Sequence, residues 1–292
     1  MSDLRVCLIG FGEVGQILAA DLADRVELSA WDILFDKPDS IPSRAVRKHN
    51  VRAGASAKDA AANADIVLSA VTAASDLDAA TLAAEGLKRG TCFVDFNSAS
   101  PGMKQKAASI VDGAGGRYIE AAVMSPFPPK RLATAMLLGG PHAREFLDQA
   151  HTLGFTGARF YADRVGPASA TKMCRSVMIK GIEALLTESM LTARHYGVEA
   201  EVLGSLSDLL PVGDWEKLAR YMISRSLEHG VRRAEEMREV AATVREAGLE
   251  PLMSSATAER QDWAAAHKSA LANQQLGAIL DSILKDIDGK TA

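Results

Sequence analysis

The chain has 292 residues, which is enough for one or two domains with a buried core. Its formal net charge is −4 and its basic residues are dispersed, so we expect no nucleic-acid partner. No apolar run reaches the roughly 18 residues of a membrane-spanning helix, and the first strand follows Met1 too closely for a signal peptide. The three cysteines form no C-x-x-C pair, and we expect a cytoplasmic protein with no membrane partner.

The first predicted strand runs from Val6 to Ile9 and leads into a glycine-rich loop. Its apolar residues suit a parallel strand covered on both faces. The loop has the spacing G-x-G-x-x-G at Gly10, Gly12 and Gly15. Gly10 allows a tight exit from the strand, Gly12 lets the backbone approach a pyrophosphate, and Gly15 lets the next helix pack closely. We predict that the loop binds a dinucleotide through Gly10, Phe11, Gly12, Glu13, Val14 and Gly15.

The next elements complete this predicted dinucleotide site. A helix from Glu13 to Leu22 directs its free N–H groups and its positive dipole end at the phosphates. Asp32 ends a second predicted strand, Val26 to Trp31, where its carboxylate can accept hydrogen bonds from a ribose 2′-hydroxyl. The same carboxylate would repel a 2′-phosphate, so the sequence favours NAD. Lys37 and Arg44 follow closely and could hold a 2′-phosphate if the loop folds back, which leaves NADP open.

Strands and helices alternate through the rest of the first half. Capping boxes at Ser56–Asp59 and Ser75–Asp78 predict two helix starts, and Ser100-Pro101 predicts a third. The further predicted strands are Asp65 to Val71, Thr91 to Phe96, Tyr118 to Ala121, Ala135 to Leu138 and Arg159 to Tyr161. Because such alternation builds parallel sheets, we predict an α/β fold with a Rossmann-type, doubly wound, mostly parallel sheet over residues 1–164.

Residues 165–292 differ, because strands give way to helical periodicity that continues to Ile287. We predict an all-α C-terminal domain here for substrate binding and dimerisation. Its first helix extends from Pro167 to His195, long enough to leave the first domain and begin a second. The later predicted helices are Ala200–Asp208, Asp214–Ser226, Val231–Ala247, Ser254–Lys268 and Asn273–Asp286. Their apolar faces exceed what one subunit can cover, so we expect a homodimer.

Four segments carry a resemblance to a known family. The first is the glycine loop, and the second is D-F-N-S-A-S-P at residues 95–101, similar to D-x-S-T-x-x-P. The third is E-A-A-V-M-S at 120–125 with L-G-G at 138–140, similar to D-A-P-V-S-G-G and its G-G ending. The fourth, at 166–176, is similar to G-x-G-x-x-x-K-x-x-x-N. In this order they resemble the β-hydroxyacid dehydrogenases, the group that contains 3-hydroxyisobutyrate and 6-phosphogluconate dehydrogenases.

The resemblance implies roles for individual residues. It implies that Lys172 is the catalytic residue. Cofactor contacts are predicted at Val71, Thr72 and Asn97, and substrate contacts at Ser98, Met124, Ser125 and Ser176. Three of these depart from the family pattern, because Met124 and Ser125 replace a serine and a glycine and Ser176 replaces an asparagine, so the substrate is not identified. No metal is implied.

Arg233 is a further predicted substrate contact, because its guanidinium could hold a carboxylate through a bidentate contact. The stretch that contains it, Val231 to Met237, lies where the family has a K-D-L segment, but the match is poor. The alternative interpretation of its alternating charges is an exposed, ion-paired helix face.

The chemistry of a lysine agrees with the role that the resemblance implies. Lys172 lies near the start of the long helix, beside the small residues 168–170, where a nicotinamide could approach. Burial beside an apolar ring would favour the neutral amine, which can accept the proton of an alcohol while a hydride leaves carbon. We therefore predict an NAD(P)-dependent dehydrogenase acting on a small β-hydroxy acid. The alternatives are an NADPH-dependent imine or carbonyl reductase, and a non-catalytic dinucleotide-binding protein.

Overall fold

The computed structural model describes residues 4–49, 51–209, 211 and 213–291. The chain divides into two compact units, residues 1–173 and 174–292. The sequence placed the division between 164 and 165, whereas this division falls inside a helix, Pro167–Tyr196. The start of that helix belongs to the first unit because backbone N–H groups of Gly166 and Ser169 donate to Glu120 of the sheet.

The first unit is built on one eight-stranded sheet. Its strands are β1 (Arg5–Ile9), β2 (Glu27–Trp31), β3 (Arg52–Ala53), β4 (Ile66–Ser69), β5 (Cys92–Asp95), β6 (Arg117–Val123), β7 (Met136–Gly139) and β8 (Ala158–Ala162). Their order is β3-β2-β1-β4-β5-β6-β7-β8, and neighbours are parallel except for β6 and β7. The predicted mostly parallel, doubly wound sheet is confirmed. Strand β3 was not predicted, because two residues are too few to show a periodic pattern.

Helices cover the sheet of the first unit. They are α1 (Glu13–Leu22), α2 (Ile41–Lys48), α3 (Ala57–Ala61), α4 (Asp76–Ala84), α5 (Pro101–Gly113), α6 (Ala143–Leu153) and the start of α7 (Pro167–Tyr196). The hydroxyls of Ser56 and Ser100 each accept the backbone N–H three residues on, so these predicted caps are confirmed. At Ser75 the predicted helix start is confirmed, because α4 begins at Asp76, but the side-chain hydrogen bond of a capping box is absent. A 3₁₀ turn, Ala73–Ser75, precedes α4, and Ser75 has φ −100° and ψ 2° rather than extended backbone.

Both faces of the sheet are buried. Val6 and Leu8 of β1 pack into the core on one face, and Cys7 and Ile9 pack into a second core on the other. All four side chains have no exposed surface. This is the burial expected of a parallel strand at the centre of an α/β sheet, and it brings the carboxyl ends of β1, β4 and β5 to one edge.

The second unit is helical throughout the residues that the structure describes. It contains the rest of α7, α8 (Glu199–Leu209), α9 (Trp215–Glu246), α10 (Leu252–Ala265), a 3₁₀ turn (Lys268–Ala272) and α11 (Leu276–Thr291). Where the sequence predicted two helices, α9 forms one span with a kink at His229, whose φ is −119° and ψ is 15°. The core of the second unit includes Met190, Ile223 and Leu280, which are fully buried.

Cys7 and Cys92 have raised thiol pKa values. Burial raises the pKa of the Cys7 thiol to about 12, and burial also raises the pKa of Cys92, so both behave as small apolar residues.

Within the described residues, no cluster of His, Cys, Asp and Glu could hold a metal ion. No helix in the described ranges combines the length and apolarity needed to cross a bilayer. The expectation that there is no signal peptide falls partly on residues 1–3, which lie outside the described residues.

Candidate active site

The glycine loop connects β1 to α1 at the carboxyl edge of the sheet. Gly10 has a left-handed φ of +92°, and a Cβ there would lie 2.5 Å from the carbonyl oxygen of Ala70. A Cβ at Gly15 would collide with the carbonyl oxygen of Gly10, so the helix packs this closely only without a side chain. At Gly12, by contrast, a Cβ would meet no described atom within 4 Å. Gly12 therefore faces open space, where a pyrophosphate could approach the backbone and the N-terminus of α1.

Asp32 joins the glycine loop to the end of β2. Its carboxylate accepts hydrogen bonds from the backbone N–H groups of Phe11 at 2.7 Å and Leu34 at 2.9 Å. A carboxylate offers about four acceptor positions, so two remain for ribose hydroxyls. The Phe11 ring is fully buried, with its centroid 6.0 Å from that of Phe35, and only its backbone faces the loop. The loop and Asp32 thus fit the adenosine half of a dinucleotide.

The other predicted residues of the loop and of the β4 end lie at the surface. Glu13 is exposed and Val14 is partly buried in the first turn of α1. Thr72 is exposed, and its hydroxyl donates to that of Ser75 at 3.3 Å. Val71 is partly buried and lies against Gly10, because a Cβ on that glycine would come within 2.9 Å of its side chain. The structure therefore groups these four residues at one edge of the sheet.

Asn97 joins the ends of β4 and β5. Its Oδ1 accepts the backbone N–H of Val71 at 2.7 Å, and its Nδ2 donates to Asp76 at 2.7 Å and to the Ser69 hydroxyl at 3.0 Å. The side chain is buried. Asn97 therefore fixes the loops that follow β4 and β5 through these three hydrogen bonds, and its direct contact with a cofactor stays a prediction.

Lys172 and Ser98 are brought together although they are 74 positions apart in the chain. Ser98 follows Asn97 after β5, and Lys172 lies in the second turn of α7. The Lys172 Nζ donates to the Ser98 Oγ at 2.5 Å, and both side chains are partly buried. An amine beside a hydroxyl at the carboxyl edge of the sheet is suited to exchange a proton with a bound alcohol.

A buried cluster of charges lies next to Asn97, and the sequence analysis did not predict it. The fully buried Lys104 places its Nζ 2.6 Å from Asp95 and 3.5 Å from Asp76, and the Tyr118 hydroxyl donates to Asp95 at 2.7 Å. Burial and the Asp95 carboxylate raise the pKa of Asp76 to about 7, against the opposing effect of Lys104. Burial alone would lower the pKa of Lys104, but the two carboxylates raise it.

A signal for this cluster exists in the sequence. Lys104 occupies the apolar stripe of α5, at helical spacing from Ala107, Ala108 and Val111, all of which are buried. A lysine in such a stripe needs a buried partner, because an unpaired charge in a core is strongly unfavourable.

Met124 and Ser125 follow β6 in the loop predicted to bind substrate. Met124 packs against Ala122, Leu137 and Ala168, the last of which lies in the first turn of α7. The Ser125 hydroxyl is buried and has no hydrogen-bond partner among the described residues. These positions therefore line the start of the helix that carries Lys172, with one hydroxyl left for a further partner.

The last two predicted substrate contacts belong to the second unit. The hydroxyl of Ser176 accepts a hydrogen bond from Lys180 at 3.2 Å, and Lys180 pairs with Glu236 at 2.7 Å. Arg233 is buried and directs its guanidinium at Glu183, with Nε 3.1 Å from Oε2. The Arg233 side chain is therefore not on an exposed face, and its Nε and Nη2 both donate to the Glu183 carboxylate.

The fold and the glycine loop define a Rossmann-type NAD(P)-binding protein with a helical second unit. A family model described as the NAD binding domain of 6-phosphogluconate dehydrogenase matches residues 5–161, which is more than half of the chain. A second model, a domain of unknown function (DUF1932), matches residues 193–264. The chain belongs to the β-hydroxyacid dehydrogenase family, whose members are NAD(P)-dependent hydroxyacid dehydrogenases.

The chain is also similar to individual proteins with and without an assigned activity. The structure of a conserved hypothetical protein from Sinorhizobium meliloti 1021 is 33% identical, covers 97% of each chain and has a TM-score of 0.75. An uncharacterized 28.5 kDa protein of Methanothermus fervidus is 29% identical over 87% of this chain and 96% of its own. The mitochondrial 3-hydroxyisobutyrate dehydrogenase of Drosophila melanogaster is 23% identical over 68% of this chain and 61% of its own. A Streptomyces aurantiacus imine reductase, 18% identical with 96% and 99% coverage and a TM-score of 0.56, shares the fold.

Proposed function

We propose that this protein oxidises the hydroxyl group of a small β-hydroxy acid, with NAD as the hydride acceptor and Lys172 as the general base. The contact between the Lys172 amine and the Ser98 hydroxyl carries the proposal. It holds the amine at the sheet edge where α/β proteins bind their ligands. The 3-hydroxyisobutyrate dehydrogenase among the relatives supports the substrate class.

The proton is moved by Lys172 in this proposal. A bound nicotinamide supplies the acceptor for the hydride that leaves the substrate carbon. The neutral Lys172 amine takes the proton of the same alcohol group, so that the C–H and O–H bonds break and a C=O bond forms. In the reverse direction the ammonium of Lys172 returns that proton to the carbonyl oxygen. Ser98 accepts a hydrogen bond from the amine and so keeps it oriented in either charge state.

The cofactor preference follows from Asp32. The Asp32 carboxylate, at the end of β2, accepts hydrogen bonds from the backbone N–H groups of Phe11 and Leu34. It cannot turn away from a 2′-substituent without losing these hydrogen bonds. A ribose 2′-hydroxyl can donate to this carboxylate, whereas a 2′-phosphate would meet a fixed negative charge. Arg44 is held by the Asp39 carbonyl oxygen at 2.6 Å, so recruiting it to a phosphate would break that contact. We expect NADH to bind at least tenfold more tightly than NADPH.

The experiment compares Lys172→Met with Lys106→Met, a matched change at an exposed lysine of α5. Turnover of 3-hydroxyisobutyrate and other small β-hydroxy acids is measured with NAD, and NADH affinity is measured by fluorescence titration. Loss of a general base is expected to lower kcat about 10²- to 10⁴-fold without changing NADH affinity. Full activity in Lys172→Met would rule out the lysine as the base.

The same assay separates the two alternatives. A panel of cyclic imines and ketones with NADPH tests for a reductase of the imine reductase type, whose fold this chain shares. Reduction of an imine without oxidation of any hydroxy acid would overturn the proposed reaction. Tight NADH binding without turnover of either panel would instead favour a non-catalytic dinucleotide-binding protein.

A further inference from the structure

We infer that Glu120 is a positioning residue, which sets the place of Lys172 by holding the first turn of α7. This inference rests on the function proposed for Lys172. Glu120 lies in β6 and is completely buried. Its Oε2 accepts the backbone N–H of Gly166 at 2.9 Å, and its Oε1 accepts that of Ser169 at 2.6 Å. One carboxylate thus satisfies two N–H groups at the start of the helix.

A side chain from a distant strand is an unusual helix cap, and its chemistry makes it a strong one. The first four N–H groups of a helix have no partner within the helix, and usually a residue next to the helix supplies one. A buried carboxylate forms charge-assisted hydrogen bonds and also faces the positive end of the helix dipole. Because Glu120 is fixed in the sheet, it ties the helix start to β6.

Gly139 makes room for this carboxylate. It pairs with Glu120 across the antiparallel strands β6 and β7. A Cβ at Gly139 would lie 2.6 Å from the Glu120 Oε2, and only a shift of one of the two groups would relieve this contact. The carboxylate therefore has its position defined both by its two donors and by the space above a glycine.

The position of the first turn of α7 in turn sets the position of Lys172. Ser169, which Glu120 holds, lies three residues before Lys172, so both belong to neighbouring turns on the same side of α7. A shift of the first turn would move the Lys172 amine away from the Ser98 hydroxyl, which it now contacts at 2.5 Å. Displacing a reacting group by about 1 Å can lower a rate by about 10²-fold. Glu120 thus influences the position of the proposed base, Lys172, without contacting it.

The experiment uses three variants of the full chain. Glu120→Gln keeps the shape but removes the charge and one acceptor, Glu120→Asp keeps the charge, and Gly139→Ala pushes against the carboxylate with no change in charge. For each we measure kcat and KM, NADH affinity, and the acetylation rate of Lys172 relative to Lys106 by mass spectrometry. The acetylation measurement does not depend on any substrate or cofactor.

We expect Glu120→Gln and Gly139→Ala to lower kcat about 10- to 100-fold while KM and NADH affinity stay near their original values. Acetylation of Lys172 should rise about tenfold relative to Lys106, as for the loss of one hydrogen bond. Glu120→Asp should recover part of both effects. If Glu120→Gln does not fold, Gly139→Ala and Glu120→Asp still decide the question.

Two results would overturn the inference. One is an unchanged Lys172 acetylation rate in Gly139→Ala and Glu120→Gln, which would show that the amine does not depend on the cap. The other is equal acceleration at Lys172 and Lys106, which would indicate general loosening. If no hydroxy acid is turned over by the original chain, the proposed function fails, but the acetylation rates still test the positioning role.

Discussion

The two units bury charge in different ways. In the first unit, Lys104 lies between two carboxylates, Asp76 and Asp95, directly under the loop that begins with Asn97. In the second unit, Arg233 forms a buried pair with Glu183, which joins α9 to α7. The first cluster is connected by hydrogen bonds to residues of the candidate site, whereas the second connects only helices.

This difference indicates why each cluster is present. Burying an ion pair costs desolvation energy that its attraction often does not recover, so apolar residues would serve equally well where packing is the only requirement. The cluster of the first unit orients an amide, because Asp76 accepts from Asn97, which in turn accepts from the backbone of Val71. An apolar replacement could not do this. We therefore expect the first cluster to be required for the site and the second to be replaceable.

The largest effect is expected for Lys104→Met. Removing the cation leaves two buried carboxylates facing each other, which should lower the free energy of unfolding of the first unit by about 3–5 kcal/mol. Because Asp76 also orients Asn97, NADH affinity should fall as well. Hydrogen exchange measured separately in peptides from β5 and from α9 checks the first expectation, and NADH titration checks the second.

Lys106→Met is the matched control, since Lys106 is an exposed lysine of the same helix. It should leave hydrogen exchange and NADH affinity as they are. If Lys104→Met destabilised the first unit and left NADH affinity intact, the cluster would have a packing role only, and the contrast between the units would be lost.

A smaller effect, about 3 kcal/mol, is expected for Arg233→Met in the second unit. Only one carboxylate, Glu183, loses its cation here, and the Lys180 charge still acts on it, whereas the loss of Lys104 leaves two carboxylates that repel each other. Burial raises the pKa of Glu183 and Arg233 opposes this, so the loss of Arg233 should raise that pKa further. Hydrogen exchange in α9 and α7 peptides measures the loss, and NADH affinity should not change.

The double variant Arg233→Met/Glu183→Leu sharpens the comparison. With both charges removed, the free energy of unfolding should return to within about 1 kcal/mol of the original value. A double variant as unstable as Arg233→Met alone would mean that the pair does more than hold α9 against α7. The same result would leave open the substrate contact that the sequence suggested for Arg233.

The sequence was informative where a residue pattern has a single physical cause. The glycine spacing and Asp32 predicted the loop, because Gly10 and Gly15 leave no room for a Cβ and Gly12 faces open space. The alternation of strands and helices predicted the sheet. The role of Lys172 came from a family resemblance, since a lone lysine in a helix carries no such signal.

The sequence was uninformative where a residue acts through a distant partner. Glu120 and Gly139 pair across two strands, and nothing local to either residue shows that one makes room for the other. The hydrogen bonds of Asn97 to Ser69 and Asp76 were not predicted either, because they depend on how the strands are ordered in the sheet. The break predicted between Ser226 and Val231 coincides with the kink at His229, although α9 is one span, and the buried pairing of Arg233 with Glu183 was not predicted.

The last expected effect concerns a slope and not the stability at one pH: the pH dependence of stability should change in Asp76→Asn. The pKa of Asp76 is raised from 3.8 to about 7 by burial and by Asp95, so between about pH 4 and 7 the folded protein binds more protons than the unfolded chain. This group therefore makes the free energy of unfolding fall as pH rises through that window. Asp76→Asn removes the contribution, so its plot of the free energy of unfolding against pH should be flatter between pH 4 and 7 and parallel to the original above pH 7.

Urea unfolding at a series of pH values measures this change. The control is Asp78→Asn, which removes an exposed carboxyl of the same helix. A steeper fall in Asp76→Asn would mean that Asp76 is ionised and stabilised by Lys104 throughout, and the first cluster would then resemble the simple ion pair of the second unit.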